Sequence, residues 1–332
     1  MKAFIKGISY YLPVKELTNQ ELVAEFPEWT VDKVAAKVGI NSRHIAAPDE
    51  TAGDMAEKAA EALFVEYKID RNTIDFILLC TQSPDYPLPT TACILQDRLD
   101  IPTGCGALDF NLGCSGYVYG LSLAKGLILS GTAKNVLFIT SEVYTKQLHP
   151  QDKGNRTIFG DAATATLIST EGFAEIGSFC LGTDGSGADN LILRSGGRRN
   201  PSPMQETVAE DGSPVYPNHI QMNGAEVFNF TLTMVPPLVE GTLKNNGLEN
   251  EQINLYVFHQ ANKFMLNTLR KLCRIDPERF YYCMEDVGNT VSNTIPIALK
   301  RAQEETAIKP GFQVLLAGFG VGYSWGGCVL GY

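Results

Sequence analysis

Cys114, His259 and Asn289 are the residues of this chain whose types and surroundings fit nucleophilic chemistry. Cys114 stands in Leu112-Gly113-Cys114-Ser115-Gly116, after the strand-like ALDFN and ahead of the apolar run SGYVYGLSLAKGLILS. Free N–H groups and the dipole at a helix N-terminus stabilise a thiolate, so this place is expected to bring the thiol below its usual pKa of about 8.5. Flanking glycines let the backbone turn sharply and let a substrate approach. The other seven cysteines (80, 93, 105, 180, 273, 283, 328) sit in apolar runs or loops without that setting. The competing reading of Cys114 is a small hydrophobe at a helix start.

His259 ends Asn254-Leu255-Tyr256-Val257-Phe258 and opens His259-Gln260-Ala261-Asn262, a strand end where an imidazole can donate or accept a proton. A structural histidine fits the same place. Asn289, in Val287-Gly288-Asn289-Thr290, precedes a helical pattern, where Asn is also an ordinary cap or turn residue. The glycine run from Gly318 to Gly327 lacks a following Lys-Ser/Thr and leads into a strand, which excludes a nucleotide phosphate loop. A glycine-lined turn of this kind suits a backbone N–H aimed at an oxyanion.

These residues need elements to hold them. Strands are expected over 74–81, 106–110, 135–140, 163–168, 175–181, 254–258, 313–317 and 324–330, and helices over 54–67, 91–99, 115–130, 225–244, 263–273 and 290–305. The alternation is α/β, with sheets covered by helices. The helix after Cys114 is apolar on nearly every face, Lys125 being its single charge, and is expected to be buried at the centre. IDFILLCTQSPDYP, DFNLGCSGYVYGLSLAKGLI and GTAKNVLFITSE run in the same order as INLYVFHQANKF, MEDVGNTVSNTIPIALKRAQ and IKPGFQVLLAGFG. Two halves, 1–172 and 173–332, would then place Cys114 and Asn289 at equivalent helix entrances with His259 between. Residues 194–217 form a Pro-, Gly- and charge-rich surface excursion, and Pro236-Pro237 are expected to kink or restart their helix.

With 44% hydrophobic and 19% charged residues in 332, the composition is globular. The scattered cysteines and four histidines show no disulfide framework and no metal spacing, so no metal or permanently bound cofactor is expected. A net charge of −10 argues against nucleic acid as a partner. No run is long and apolar enough for a membrane span or a secretory leader, which reads as a cytoplasmic protein.

DFNLGCSG, VFHQAN, VGNTVSNTIP and GFGVGYSWGG, with RHIAAPDET, PTTAC, IFGDAATA and HIQMNGAEVF, resemble in order and spacing the β-ketoacyl-acyl-carrier-protein synthase III family of the thiolase superfamily. The resemblance spans essentially the whole chain. It implies a thiolase-like fold, two pseudo-equivalent βαβαβ halves in a five-layered α-β-α-β-α arrangement, working as a homodimer. It also implies that Cys114 takes an acyl group from a thioester, usually acyl-coenzyme A. His259 and Asn289 then polarise malonyl-acyl carrier protein for decarboxylative condensation, and the N–H groups of Cys114 and Gly322 form the oxyanion hole. Coenzyme A and acyl carrier protein enter as substrates.

Departures from the family pattern fall at Val34, where an adenine-stacking Trp is usual, and at Phe264, where an Arg for the carrier is frequent. Lys263, Arg270 and Arg274 fall near one line of a helix and could dock an acidic carrier with Asn262 beside them. Leu88 takes the place of a partner-subunit Phe in the acyl pocket, and Phe159 and Met204 are expected as further lining. Acyl transfer to an alcohol or amine, and a non-catalytic partner subunit, remain as other readings.

Overall fold

The computed structural model describes residues 1–209, 212 and 214–332; residues 210, 211 and 213 of the expected excursion lie outside it. Nine strands form the main sheet: β1 (Phe4–Tyr11), β2 (Phe76–Cys80), β3 (Gly106–Phe110), β4 (Asn135–Glu142), β5 (Ala162–Ser169), β6 (Ala174–Thr183), β7 (Leu255–Phe258), β8 (Gln313–Gly320) and β9 (Ser324–Gly331). Their order is β7-β8-β9-β6-β1-β5-β4-β2-β3. β2 is parallel to β3 and β4, and β7 is parallel to β8; the remaining neighbours are antiparallel. β1 and β6 meet through only two residue pairs, Phe4 with Glu175 and Ile5 with Ala174. The same succession of senses runs outward from that seam on both sides, and a lone parallel bridge from Tyr256 to Phe280 stands where β3 stands in the first half.

The helices of seven residues or more are α1 (Asn19–Glu25), α2 (Val31–Val38), α3 (Ala52–Tyr67), α4 (Thr91–Arg98), α5 (Gly116–Leu129), α6 (Gly224–Asn246), α7 (Lys263–Leu272) and α8 (Thr294–Glu304), and a single turn forms over Lys153–Arg156. α3 covers β1, β4 and β5 on one face, and α6 covers β6, β8 and β9 on another. α5 packs against strands of both groups, β2, β4, β5, β6, β8 and β9, so it forms the middle layer with α8 beside it. Its first two turns are buried, as its composition demands, but the C-terminal turns reach the surface at Leu123 and Leu129. Lys125 donates to the carbonyls of Ile176 and Gly177, at 2.7 and 2.9 Å, which satisfies the helix's one charge.

Several elements escape the hydrophobic pattern. β1 carries a register shift between Ile5 and Gly7, so its in–out alternation breaks in the middle. α1 and α2 are two-turn helices that rest on their caps, Thr18 and Thr30, whose side chains accept from Glu21 N and Lys33 N. Contrary to expectation, Pro236 and Pro237 lie inside one continuous helix, α6, which does not restart there. Among the described residues no helix is long and apolar enough to cross a membrane.

Candidate active site

Cys114 lies two residues ahead of α5, its side chain pressed onto the end of β8. A Cβ built on Gly320 would stand 2.7 Å from Cys114 Cβ and 2.8 Å from Sγ, so only glycine permits this approach. Ser115 Oγ meets Ser324 Oγ at 2.7 Å and fixes the helix entrance to the start of β9. The backbone N–H groups of Cys114 and of Val321 face the sulfur. From this turn it is the N–H of Val321 that faces the sulfur, and Gly322 is the bend behind it, at φ +135°. The three alternate glycines in Gly318–Gly322 look alike in sequence, so which backbone N–H meets the sulfur is not read from them.

Burial outweighs those N–H groups. It pushes the Cys114 thiol up to about 12, with the buried carboxyl of Glu142 adding to the rise. The sequence-based expectation of a depressed thiol pKa is thus reversed, because burial costs the thiolate more than the N–H groups of Val321 and Cys114 return. Cys114 is a protonated thiol that needs a base.

His259 follows β7 directly, and its N–H donates to Ala317 O at 2.8 Å, continuing the parallel ladder to β8. The ring is 2% exposed, stands edge-on to Phe319, and has its Nδ1 2.7 Å from Thr294 Oγ1. Desolvation lowers its pKa to about 3, so the imidazole is neutral throughout the physiological range.

Asn289 lies on a turn ahead of α8. Its N–H donates to Ile158 O at 2.8 Å and its carbonyl accepts from Gly160 N at 3.0 Å, making a parallel bridge with Phe159. The side-chain Oδ1 accepts from Val291 N at 2.9 Å, which leaves the Nδ2 amide as the free donor. Val291 holds φ +59°, rare for a β-branched residue. Such a residue typically costs about 1–3 kcal/mol and persists where its surroundings over-determine it.

Cys114, His259 and Asn289 line one cavity of ≈ 140 Å³ together with Ile158, Phe159, Leu191, Met222, Val227, Thr231, Asn262, Met265, Phe319 and Gly320. Phe159 is thus brought to the site, packed on Tyr144 at 5.0 Å between ring centroids. Met204 is not: it lies out on the excursion, where its backbone exchanges two hydrogen bonds with the Asn218 side chain. The excursion is pinned at its base by pairing of Leu191–Ile192 with Gln221–Met222, so Leu191 and Met222 form the wall and none of the described residues between them lines the cavity. Leu88 projects into solvent, 75% exposed, away from this chain's cavity.

Among the expected docking residues, Asn262 lines the cavity and also caps α7, its Oδ1 accepting from Met265 N at 2.9 Å. Lys263 is exposed and rests over Gly39. Arg270 donates to Ile275 O at 2.8 Å. Arg274 falls beyond the end of α7 with φ +54°, so the single helical line expected for the three cations is broken there. Phe264 is exposed and packs on Phe228.

A second cavity, of ≈ 240 Å³, opens between α2 and the 154–158 segment. Trp29, Lys33, Val34, Lys37, Val38, Gly154, Thr157 and Ile158 line it, and Ile158 is a wall shared with the Cys114 cavity. Trp29, just ahead of α2, brings an aromatic side chain to the pocket in which Val34 is buried. The cue in the sequence is Glu28-Trp29 before a Thr cap, displaced from where the family pattern directs attention.

Glu142, at the end of β4, is fully buried and has its pKa raised to about 8 by desolvation. Its oxygens accept from Gln82 N at 3.0 and 3.1 Å, from Ser83 Oγ at 3.1 Å and from Ser292 Oγ at 3.3 Å. It ties the loop after β2 to the loop that carries Asn289. Among the described residues no group of three or more His, Cys, Asp or Glu could hold a metal ion, and all eight cysteines are unpaired.

Residues 108–185 match the family model for 3-oxoacyl-[acyl-carrier-protein] synthase III, and residues 243–332 match the model of its C-terminal part. A β-ketoacyl-[acyl-carrier-protein] synthase III from Methylococcus capsulatus is 35% identical over 331 residues, covering 99% of this chain and 98% of the relative. A crystal structure of a 3-oxoacyl-(acyl-carrier-protein) synthase III superposes with a TM-score of 0.97 at 48% identity over the full length of both chains. The synthase III of Thermus thermophilus gives 0.89 at 31% identity over 99% of each. The chain belongs to the β-ketoacyl-[acyl-carrier-protein] synthase III family of the thiolase superfamily.

Proposed function

We propose that this chain carries an acyl primer on Cys114 and condenses it, with loss of CO₂, onto malonyl-acyl carrier protein to give a 3-oxoacyl thioester. The observation that carries the reading is the single cavity in which a thiol, an imidazole and a free side-chain amide converge. Loss of CO₂ leaves an enolate whose oxygen needs hydrogen-bond donors, and a ring N–H with the Asn289 amide supplies two. The tetrahedral oxyanion formed at the acyl carbon falls to the N–H groups of Cys114 and Val321. Transfer to an alcohol or amine makes no use of a paired donor for an enolate, and nothing in the site favours it.

Coenzyme A, in this reading, threads from the Trp29 cavity past Ile158, with its base against Trp29 and its phosphates near the exposed Lys33 and Lys37. An acidic carrier docks on the same rim, using Lys263 and Arg274. A second copy of the chain pairs along β3, the outermost strand of the sheet, where Leu108 is exposed, and Leu88 then reaches the neighbour's acyl cavity. The duplicated strand senses support two halves, 1–172 and 173–332. A cytoplasmic setting suits substrates of this kind.

Intact-protein mass spectrometry after incubation with acyl-coenzyme A and acyl-carrier thioesters of graded length tests the reading. Wild type is expected to gain one acyl mass, Cys114→Ala none, and Asn289→Ala the same mass with condensation about 100-fold down. An unchanged adduct on Cys114→Ala overturns it.

A further inference from the structure

Thr294 opens α8, but its side chain turns back toward the site. Its Oγ1 lies 2.7 Å from His259 Nδ1 and 3.1 Å from Val291 O. One hydroxyl proton therefore has two neighbours able to receive it. The carbonyl can only accept, whereas the ring nitrogen accepts or donates according to tautomer. We propose that Thr294 is a positioning residue that decides which ring nitrogen of His259 holds the proton, and so switches Nε2 between acceptor and donor for the two half-reactions. The inference rests on the condensation proposed above.

With the hydroxyl on Val291 O, Oγ1 offers Nδ1 only lone pairs, so Nδ1 carries the proton and Nε2 is bare. Acylation needs that form, because Cys114 is a protonated thiol. Its proton passes to Nε2 as the bond from Sγ to the acyl carbon forms. The bond from that carbon to the leaving sulfur breaks, and Nε2 hands the proton to the departing thiolate.

With the hydroxyl turned onto Nδ1, the ring's single proton sits on Nε2, beside the Asn289 amide. There it meets the oxygen that gains charge as the bond to the malonyl carboxylate breaks and CO₂ leaves with that bond's electrons left in the enolate. The enolate carbon then bonds to the acyl carbon, and Cys114 departs as a thiolate and takes a proton from water. Between the two forms Nδ1 gives one proton to water and Nε2 receives one, with no change of net charge.

Thr294→Val removes the hydroxyl that faces Nδ1, and with it the donor that would hold the ring's proton on Nε2. The Nδ1–H form that acylation uses stays available, while the Nε2–H form loses its partner. Acylation of Cys114 by acyl-coenzyme A is expected within about threefold of wild type, while condensation falls about 100-fold, the cost of losing one preorganised donor. Thr294→Ser restores condensation. Equal losses in both half-reactions, or full condensation by Thr294→Val, overturn the proposal.

Should the valine variant fail to fold, [¹⁵N]histidine NMR of the wild-type chain reads the tautomer directly, with His259→Ala assigning the signal. The proton is expected on Nδ1 in the free enzyme and on Nε2 in the acyl-enzyme holding a malonyl thioester analogue that cannot lose CO₂. One tautomer in both states overturns the proposal. A wild-type chain that never acquires an acyl group overturns the functional reading instead.

Discussion

The entrance of α5 at Cys114 and the entrance of α8 at Asn289–Asn293 face one cavity, yet the first is nearly apolar and the second is a polar lattice. Both cap residues, Ser115 and Asn293, have helical backbone angles, and neither caps its helix with its side chain. Each side chain reaches instead to a strand distant in sequence. Ser115 has the single contact with Ser324, whereas Asn293 accepts from Thr140 Oγ1 at 2.6 Å and donates to Ala162 O and Thr290 O, both at 3.0 Å. Ser292 adds its bond to Glu142. The difference follows from what each entrance presents. A thiol needs a dry slot and one base, but an amide donor must be aimed, and aiming takes several fixed bonds.

Gly320→Ala is the strongest way to break the apolar entrance. The new methyl falls inside contact distance of both Cys114 Cβ and Sγ, and misplacing a nucleophile by about 1 Å can cost about 100-fold. The rate of acyl-enzyme formation measures it; a wild-type rate would show that the slot has slack.

Asn293→Ala strikes the polar lattice. It takes the side-chain donor from the buried Ala162 carbonyl and leaves Thr140 Oγ1 with Thr164 Oγ1 alone, and at about 1–3 kcal/mol for an unsatisfied buried group it is expected to lower the urea midpoint clearly. Ser115→Ala, which loses one hydroxyl pair, is expected to cost about 1 kcal/mol in the same titration. Equal costs would erase the contrast between the two entrances.

Glu142 supplies the pH test. Its folded pKa, raised to about 8 from the ordinary 4.5, means that the folded state holds the proton more tightly than the unfolded chain does. The contribution to stability is complete below pH 4.5 and fades as pH climbs toward 8. Denaturation across that window is expected to show a falling slope in wild type that Glu142→Gln flattens; parallel slopes would mean that the carboxyl is not the group responsible.

Much of this was legible in the chain. Cys114 could be singled out from seven other thiols by its place before an apolar helix, because helix entrances have a local signature. The family pattern added His259 and Asn289, whose surroundings alone also fit structural roles. Long strands and helices followed from periodicity. Val321 and Thr294 were not legible, since one acts through its backbone and the other through a contact with a residue 35 positions away. Met204 was misplaced because the pairing of 191–192 with 221–222, which keeps it outside, is two residues deep and leaves no periodic trace. The thiol's protonation escapes the sequence for a related reason. A sequence displays the helix that follows Cys114, but not how completely the other half covers it.

That covering reaches into how the cysteines meet reactive small molecules. At a pKa of about 12, only about one Cys114 thiol in 10⁵ is ionised at neutral pH. A generic alkylating or oxidising reagent is therefore expected to reach Cys93, which is exposed, ahead of the buried Cys114. Cys114 is open only to a molecule slender enough to enter the cavity and electrophilic at the right depth, so shape stands guard over a thiol that acidity leaves dormant.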